Sequence, residues 1–193
     1  MTKMLWQSRA IALLTAALLS CAAASAQTPA APKKPAAKPA KPEPTEQAVL
    51  LGQFGDWGAY TATPGGKKIC FALSKPTSAV IEPANRKRDP SYAFVSTRPA
   101  EKVRNEVSVI VGYPQKPGAD ATATVGTTIY VLYTQNDGAW IKNAAEEAQM
   151  VETMRKGSDM VVKSVSHSGA KTTDTYSLKG LSEALDKVAE ECR

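Results

Sequence analysis

The chain has 193 residues, of which 22% are charged, and its formal net charge is +6. Lys3, Arg9 and four lysines between residues 33 and 41 supply much of that excess, so residues 49–193 are only weakly basic. This balance excludes the strongly basic footprint of a nucleic-acid-binding domain. His167 is the only histidine, which excludes a multi-histidine metal site.

Residues 1–26 have the pattern of a signal peptide. Two basic residues precede a short apolar run over residues 10–19, which is too short to anchor stably across a bilayer. Ala24-Ser25-Ala26 then offers a cleavage site before Gln27. A second interpretation stays open, because Leu18-Leu19-Ser20-Cys21 is similar to a lipoprotein box in which Cys21 is lipidated. The sequence therefore predicts a periplasmic or secreted protein, with lipid anchoring through Cys21 as the alternative.

Residues 27–48 form a linker rich in proline, alanine and lysine. Its six prolines remove backbone donors and favour extended polyproline II, so no core can form from this segment. A spacer is one interpretation, and contact with the cell wall or with anionic head groups is the other. Residues 49–193 are then long enough for one β-rich domain with a sizeable core.

The first half of that domain has strand patterning. Residues 54–60 and 68–73 flank the turn signal Pro64-Gly65-Gly66 and predict a hairpin. Further strands are predicted over 92–97, 106–111 and 127–133. Alternation along three of these strands predicts which residues share a face. In the strand over 68–73, Ile69, Phe71 and Leu73 share one face and Cys70 lies on the other. The corresponding sets in the next two are Val107, Val109 and Val111, and Ile129, Val131 and Tyr133.

The second half contains two predicted helices. Asn143 and Glu146 spell a variant capping box, and Gly157 stands where this first helix should end. Residues 159–167 and 171–176 predict a second hairpin, after which Ser177 begins the final helix. Its apolar stripe comprises Leu178, Leu181, Leu185, Val188 and Cys192. The predicted fold is mainly β (α+β): an antiparallel β-sandwich-like domain with one mid-chain and one C-terminal helix.

Two cysteines remain once Cys21 is assigned to the export segment. An even pair in an exported protein predicts a disulfide between Cys70 and Cys192, which would fasten the C-terminal helix to an early strand. Two buried free thiols are the alternative.

Several segments of the domain resemble the invasion-associated locus B family of exported bacterial proteins. They are Phe54-Gly55-Asp56-Trp57, Cys70-Phe71-Ala72-Leu73, Met154-Arg155-Lys156-Gly157 and Tyr176-Ser177-Leu178-Lys179-Gly180-Leu181. The resemblance covers roughly residues 52–191. It implies a β-rich exported protein, of a family linked in some pathogens to host-cell entry, and it supplies no catalytic residues.

Two groups of residues are candidates for a binding site. One is a basic segment that could bind an anionic partner, with a solvated loop as the alternative. It comprises Arg86, Lys87, Arg88, Arg98, Lys102 and Arg104 against only two acidic residues. The other is an aromatic surface formed by Trp57, Tyr60 and Trp140, for which packing in the core or at an interface is the alternative. Ser168-Gly169-Ala170-Lys171 spells an acyl-transfer signature, but it straddles a predicted β-turn instead of opening a helix.

The sequence therefore predicts an exported, non-enzymatic interaction protein without a cofactor, whose partner is an envelope or host protein or an anionic glycan. The alternative is a periplasmic module that binds a small ligand. A deep pocket lined by Trp57 and Trp140 would favour the alternative, and a flat surface beside the basic segment would favour the interaction protein.

Overall fold

The computed structural model describes residues 47–193. The predicted signal peptide and nearly all of the predicted linker lie outside these residues and stay predictions. The described part contains two helices, α1 (Ala144–Lys156) and α2 (Leu181–Glu191). Its eleven strands are β1 (Val49–Phe54), β2 (Trp57–Ala62), β3 (Ile69–Ser74), β4 (Ser78–Glu82), β5 (Tyr92–Arg98), β6 (Val103–Ile110), β7 (Ala121–Val125), β8 (Thr128–Gln135), β9 (Gly138–Ile141), β10 (Asp159–Val165) and β11 (Lys171–Ser177).

All eleven strands pair in one antiparallel sheet, in the order β1-β2-β3-β5-β6-β9-β8-β7-β10-β11-β4. β3 and β4 are consecutive in the chain, yet β4 lies at the far end of this order. The connection from Ser74 to Ser78 reaches at most about 14 Å when extended. Two packed sheets lie about 10 Å apart, so the sheet must fold over on itself to bring these strands together. This arrangement confirms the predicted mainly β, sandwich-like class with two helices.

The core lies on the inner face of the folded sheet, beneath the two helices. α2 packs against β1, β2, β3 and β5, and α1 packs against β6 and β9. Inner-face side chains of β2, β3 and β5 are small where α2 crosses them, because a helix needs room to approach a sheet. The buried residues at this contact include Ala59, Cys70, Ala72 and Ala93 from the sheet and Leu181, Ala184, Leu185 and Val188 from the helix.

The predicted disulfide is confirmed. Cys70 of β3 and Cys192, directly after α2, are bonded with their Cα atoms 5.9 Å apart and a separation of 122 positions in sequence. Lys68 donates a hydrogen bond to the backbone oxygen of Glu191 beside the bridge and pairs with its carboxylate. The C-terminal end of the chain is thereby fastened to the sheet.

Helix α1 begins and ends where the sequence predicts. The Asn143 carboxamide accepts from the backbone N–H of Glu146 at 2.8 Å, and Gly157 follows the last turn. The spacing of Ala144, Ala148, Val151 and Met154 predicts one apolar face for this helix. Its buried residues are Met150, Val151 and Met154, so only the C-terminal half of that face is buried. These two alanines are exposed because the helix lies with its C-terminal half over the core.

The start of α2 was predicted too early. Ser177 pairs with Asp159 as the last residue of β11, and the helix begins at Leu181 after Gly180. Gly180 has φ +88°, and a Cβ there would lie 1.9 Å from the carbonyl oxygen of Phe54. This close approach requires glycine, so the helix cannot extend back through it. Within residues 47–193, neither helix has the length and apolar character needed to cross a membrane.

Candidate functional site

The basic segment is divided by the fold. Arg86 and Lys87 lie exposed in the loop before β5, whereas Lys102 and Arg104 lie exposed beyond its other end. A seven-residue strand separates the two groups, and it spans roughly 20 Å. The six predicted residues therefore do not form one continuous patch.

Arg88 is part of a buried ion pair. Its guanidinium forms a bidentate pair with the carboxylate of Asp174, which is fully buried in β11, and also donates to the carbonyl oxygen of Val111. The hydrogen bond to Asp174 raises the pKa of Arg88 above its usual value. Arg88 thus fastens the loop over residues 83–91 to the inner face and presents little free charge to a ligand.

Arg98 is also paired, but near solvent. It contacts the carboxylates of Glu101 at 2.7 Å and Glu106 at 2.6 Å, and its hydrogen bond to Glu106 is the main reason that its pKa is raised. Arg86, Lys87, Lys102 and Arg104 have no ion-pair partner among residues 47–193. Two separated pairs of basic side chains, Arg86 with Lys87 and Lys102 with Arg104, thus carry the free positive charge of this segment.

Trp57 and Trp140 do not share a site. Trp57 is fully buried on the inner face, where its indole N–H donates to the carbonyl oxygen of Ser177 at 2.9 Å. Trp140 is partly exposed on the opposite, outer face of the sheet, where it stacks on Tyr133 with ring centroids 5.7 Å apart.

The outer face of the sheet carries an apolar surface that spans β2, β3, β5, β6, β9 and β8. We call it the outer apolar face and define it by Tyr60, Phe71, Leu73, Tyr92, Phe94, Ile110, Ile129, Val131, Tyr133 and Trp140. Cross-strand pairing connects its members, since Leu73 is opposite Phe94, and Trp140 is opposite Tyr133. All ten side chains are exposed or only partly buried.

Aromatic contacts order one side of this face. Phe71 stacks on Tyr60 with ring centroids 5.4 Å apart and contacts Phe94 at 5.9 Å, and Phe94 contacts Tyr92 at 6.2 Å. The ammonium group of Lys75 lies 5.8 Å from the centre of the Tyr92 ring. These contacts hold the rings in place while leaving part of each in solvent.

Two glycines give the rings room to fold against the sheet. A Cβ on Gly138 would lie 2.0 Å from the indole of Trp140, and one on Gly58 would lie 2.6 Å from the ring of Tyr60. In each case the aromatic residue lies two positions later on the same strand and covers the glycine backbone. The face is therefore relatively flat despite its large side chains.

A family model described as "Invasion associated locus B (IalB) protein" matches residues 57–189, well over half of the chain. The chain belongs to the invasion-associated locus B family. No curated protein and no solved structure matches it. The IalB match contains every residue of the outer apolar face and Cys70, whereas Cys192 lies just beyond it.

This IalB-family domain also has an open cavity of about 640 Å³ beside the basic loop. Its lining residues include Lys87, Arg88, Asp89, Tyr113 and Asp137, so both signs of charge are present. Neither Trp57 nor Trp140 is among them. The cavity therefore differs from the aromatic pocket that would have favoured the small-ligand alternative.

The sequence predicts Tyr60 and Trp140 on an aromatic surface, but it does not identify the rest of the outer apolar face of this IalB-family domain. The available signal was that β3 and β8 are apolar on both alternating faces. On β8, Ile129, Val131 and Tyr133 alternate with the buried residues Tyr130 and Leu132. A strand that is apolar on both faces inside an antiparallel sheet indicates a second buried surface, and here no described part of the chain covers it.

Proposed function

We propose that this protein is an exported, non-enzymatic component of the cell envelope that docks another protein on its outer apolar face. The observation that carries the proposal is exposure: Ile129, Val131 and Tyr133 are 64%, 46% and 36% exposed. Burying apolar surface is worth about 25 cal/mol for each Å². A contiguous apolar patch on a globular domain is accordingly typical of an interaction site.

The composition of the face favours a protein partner. Aromatic residues are enriched and charged residues are depleted at the centres of protein interfaces. Tyrosine and tryptophan also dominate their binding energy, because they bury large area and keep a polar group for hydrogen bonding. Tyr133 and Trp140 form such a stacked pair at the most exposed end of the face.

An anionic glycan receives less support from the same structure. Arg88 is neutralised by Asp174, Arg98 is paired with two glutamates, and the remaining basic side chains lie at opposite ends of β5. A polyanion bound through such dispersed charges would gain little at physiological salt, because exposed charges are screened over about 8 Å. A protein docked on apolar surface has no such dependence.

Export is the second part of the proposal, to the periplasm or the exterior, with a lipid anchor at Cys21 as the alternative. Its support is the leader-like composition of residues 1–26 and the disulfide, since such bonds persist in oxidising compartments. Intact-mass analysis of the mature protein should give an N-terminus at Gln27. A diacylglyceryl adduct on Cys21 would establish the lipoprotein form instead, and an uncleaved chain would contradict export through this segment.

Site-specific photocrosslinking in cells tests the docking surface. A photoreactive amino acid replaces Val131 in one strain and Val80 in another. These valines are 46% and 49% exposed on the outer face of the same sheet, but Val80 lies on β4 at its far end. We expect a protein adduct from position 131 and none from position 80, with mass spectrometry identifying the partner.

The absence of an adduct at position 131, or equal adducts at both positions, would contradict the proposal. A crosslinked lipid or glycan at position 131 in place of a protein adduct would also contradict it.

A further inference from the structure

We propose that the first occupant of the outer apolar face is a second copy of this chain, so that two sheets pack face to face in a symmetric dimer. The inference rests on the proposed function, because it names the partner of the same surface. Three features of the face support it: the absence of charged residues among its members, its dimensions and the shape of its surface.

Charge is the first feature. The cross-strand row from Gly58 through Leu73, Phe94 and Ser108 to Trp140 and Tyr133 contains no charged residue. The next row ends at Glu106, which is already paired with Arg98. In a two-fold interface every patch meets its own copy, so a charged face would repel itself. None of the ten residues that define the face is charged, and the nearest lysines, Lys75 beside Tyr92 and Lys163 across Thr122 from Val131, lie at its margin.

The dimensions decide how strong such a dimer should be. The face crosses five strand spacings of about 4.8 Å and extends roughly 15 Å along the strands, which gives roughly 350 Å² in plan. Stable dimers bury about 800 Å² on each partner, and weak ones bury less than about 600 Å². The expected dimer is therefore reversible and forms at micromolar concentration or above.

The shape of the surface is the third feature. The rings folded over Gly58 and Gly138 keep the face low, and the partly buried Ser96 leaves a shallow hollow opposite Phe71. Two packed sheets interdigitate their side chains at a separation of about 10 Å, with strand directions differing by about 30°. A two-fold axis through this face would let the two flat surfaces pack closely, with a ring of one copy covering the Ser96 position of the other.

Sedimentation and light scattering of the purified protein over about 1 μM to 1 mM test the inference at concentrations where weak dimers exchange with monomers. The wild-type mass should rise towards that of a dimer. Val131→Lys should raise the dissociation constant at least about tenfold, since symmetry places the buried lysine in the interface twice. Val80→Lys is the matched control and should leave the constant unchanged.

Tryptophan fluorescence gives a readout that does not depend on introducing a charge. Trp57 is buried in the monomer, whereas Trp140 lies on the proposed interface. Dilution should therefore shift the emission of the wild type to longer wavelength, and Trp140→Phe should abolish that shift. Near-ultraviolet circular dichroism and an intact Cys70–Cys192 bond verify that each variant is folded.

A wild-type protein that stays monomeric to about 1 mM overturns the dimer, because even weak interfaces associate at that concentration. A dimer that Val131→Lys leaves intact, or that Val80→Lys dissociates equally, overturns it as well. If position 131 still crosslinks to a different protein in cells, the proposed function stands while this inference fails. If neither association nor crosslinking occurs, both fail.

Discussion

Strand β8 has two apolar faces, of which one is buried and the other is exposed. Tyr130 and Leu132 point inward and are almost completely buried, whereas Ile129 and Val131 point outward and are largely exposed. The side chains of the two sets are chemically similar. The difference shows that alternation along a strand identifies which residues share a face, but not which of the two faces becomes the core.

The two faces of β3 differ in the size of their side chains as well as in burial. Its inward residues include Cys70 and Ala72, which are small, whereas the outward residues Ile69, Phe71 and Leu73 are large. Helix α2 crosses the inner face here and needs small residues beneath it. The larger apolar side chains are consequently displaced to the outer face, where a partner protein would cover them.

The disulfide that fastens α2 over the inner face should give the largest effect. Replacing Cys70 and Cys192 together by alanine frees a loop of 122 residues, so the free energy of unfolding should fall by about 2–5 kcal/mol. Urea denaturation measures the change. Lys68→Ala, which removes the exposed ion pair beside the bridge, should cost less than about 1 kcal/mol. A loss from Lys68→Ala as large as that of the cysteine variant would contradict this assignment.

The two paired arginines extend the comparison to polar groups. Arg88→Ala would leave the fully buried carboxylate of Asp174 without its partner, and breaking a buried pair costs about 3–5 kcal/mol. Arg98→Ala removes a partly exposed pair on the outer side and should cost at most about 1 kcal/mol. Thermal and urea unfolding measure the loss of stability in both variants. Equal losses would contradict the distinction between a buried and a partly exposed ion pair.

Leu132→Ala and Ile129→Ala test the two faces of one strand directly. The first creates a cavity on the inner face and should lower the free energy of unfolding by about 2–5 kcal/mol. The second removes a side chain that is 64% exposed, and surface changes of this kind stay within about 0.5 kcal/mol. Urea denaturation at low protein concentration is required, so that self-association does not contribute. Comparable losses would show that the outer face is already covered within the monomer.

Local sequence signals predicted the elements whose limits are set locally. Asn143 and Gly157 bound α1 because a cap and a stop act within one helical turn. The disulfide followed from counting cysteines. By contrast, the sequence patterns do not predict β1, β4, β7 or β9: β7 consists of alanine, threonine and valine, and β9 is four residues long with a glycine. Pairing with neighbouring strands stabilises these segments, and no sequence window contains that information.

The candidate site was predicted less well for the same reason. Lys87 and Arg88 are neighbours in sequence, yet one is exposed and the other reaches a carboxylate 86 residues away. Aromatic character alone groups Trp57 with Trp140, whereas the register places them on opposite faces. Only the strand order brings Tyr60, Phe94 and Tyr133 onto one surface.

The smallest expected effect concerns Glu147, a carboxylate that lies where α1 meets the sheet. Its side chain accepts from the backbone N–H of Val107 at 2.7 Å and is partly buried. Burial raises its pKa above the usual glutamate value, and the hydrogen bond from Val107 opposes that shift only in part. A raised folded-state pKa means that the contribution of Glu147 to stability is fully present below the ordinary pKa and is lost as pH rises through the folded value.

Glu147→Gln should therefore flatten the decline in unfolding free energy as pH rises from about 4 to 7, because the amide can still accept from Val107 and does not ionise. Glu146→Gln is the matched control, since it removes a charge from the same first turn and so matches the helix-dipole contribution. Urea denaturation across this range measures both slopes. If Glu147→Gln follows the wild-type curve, or if Glu146→Gln flattens it equally, burial of Glu147 against β6 is not the source of the pH dependence.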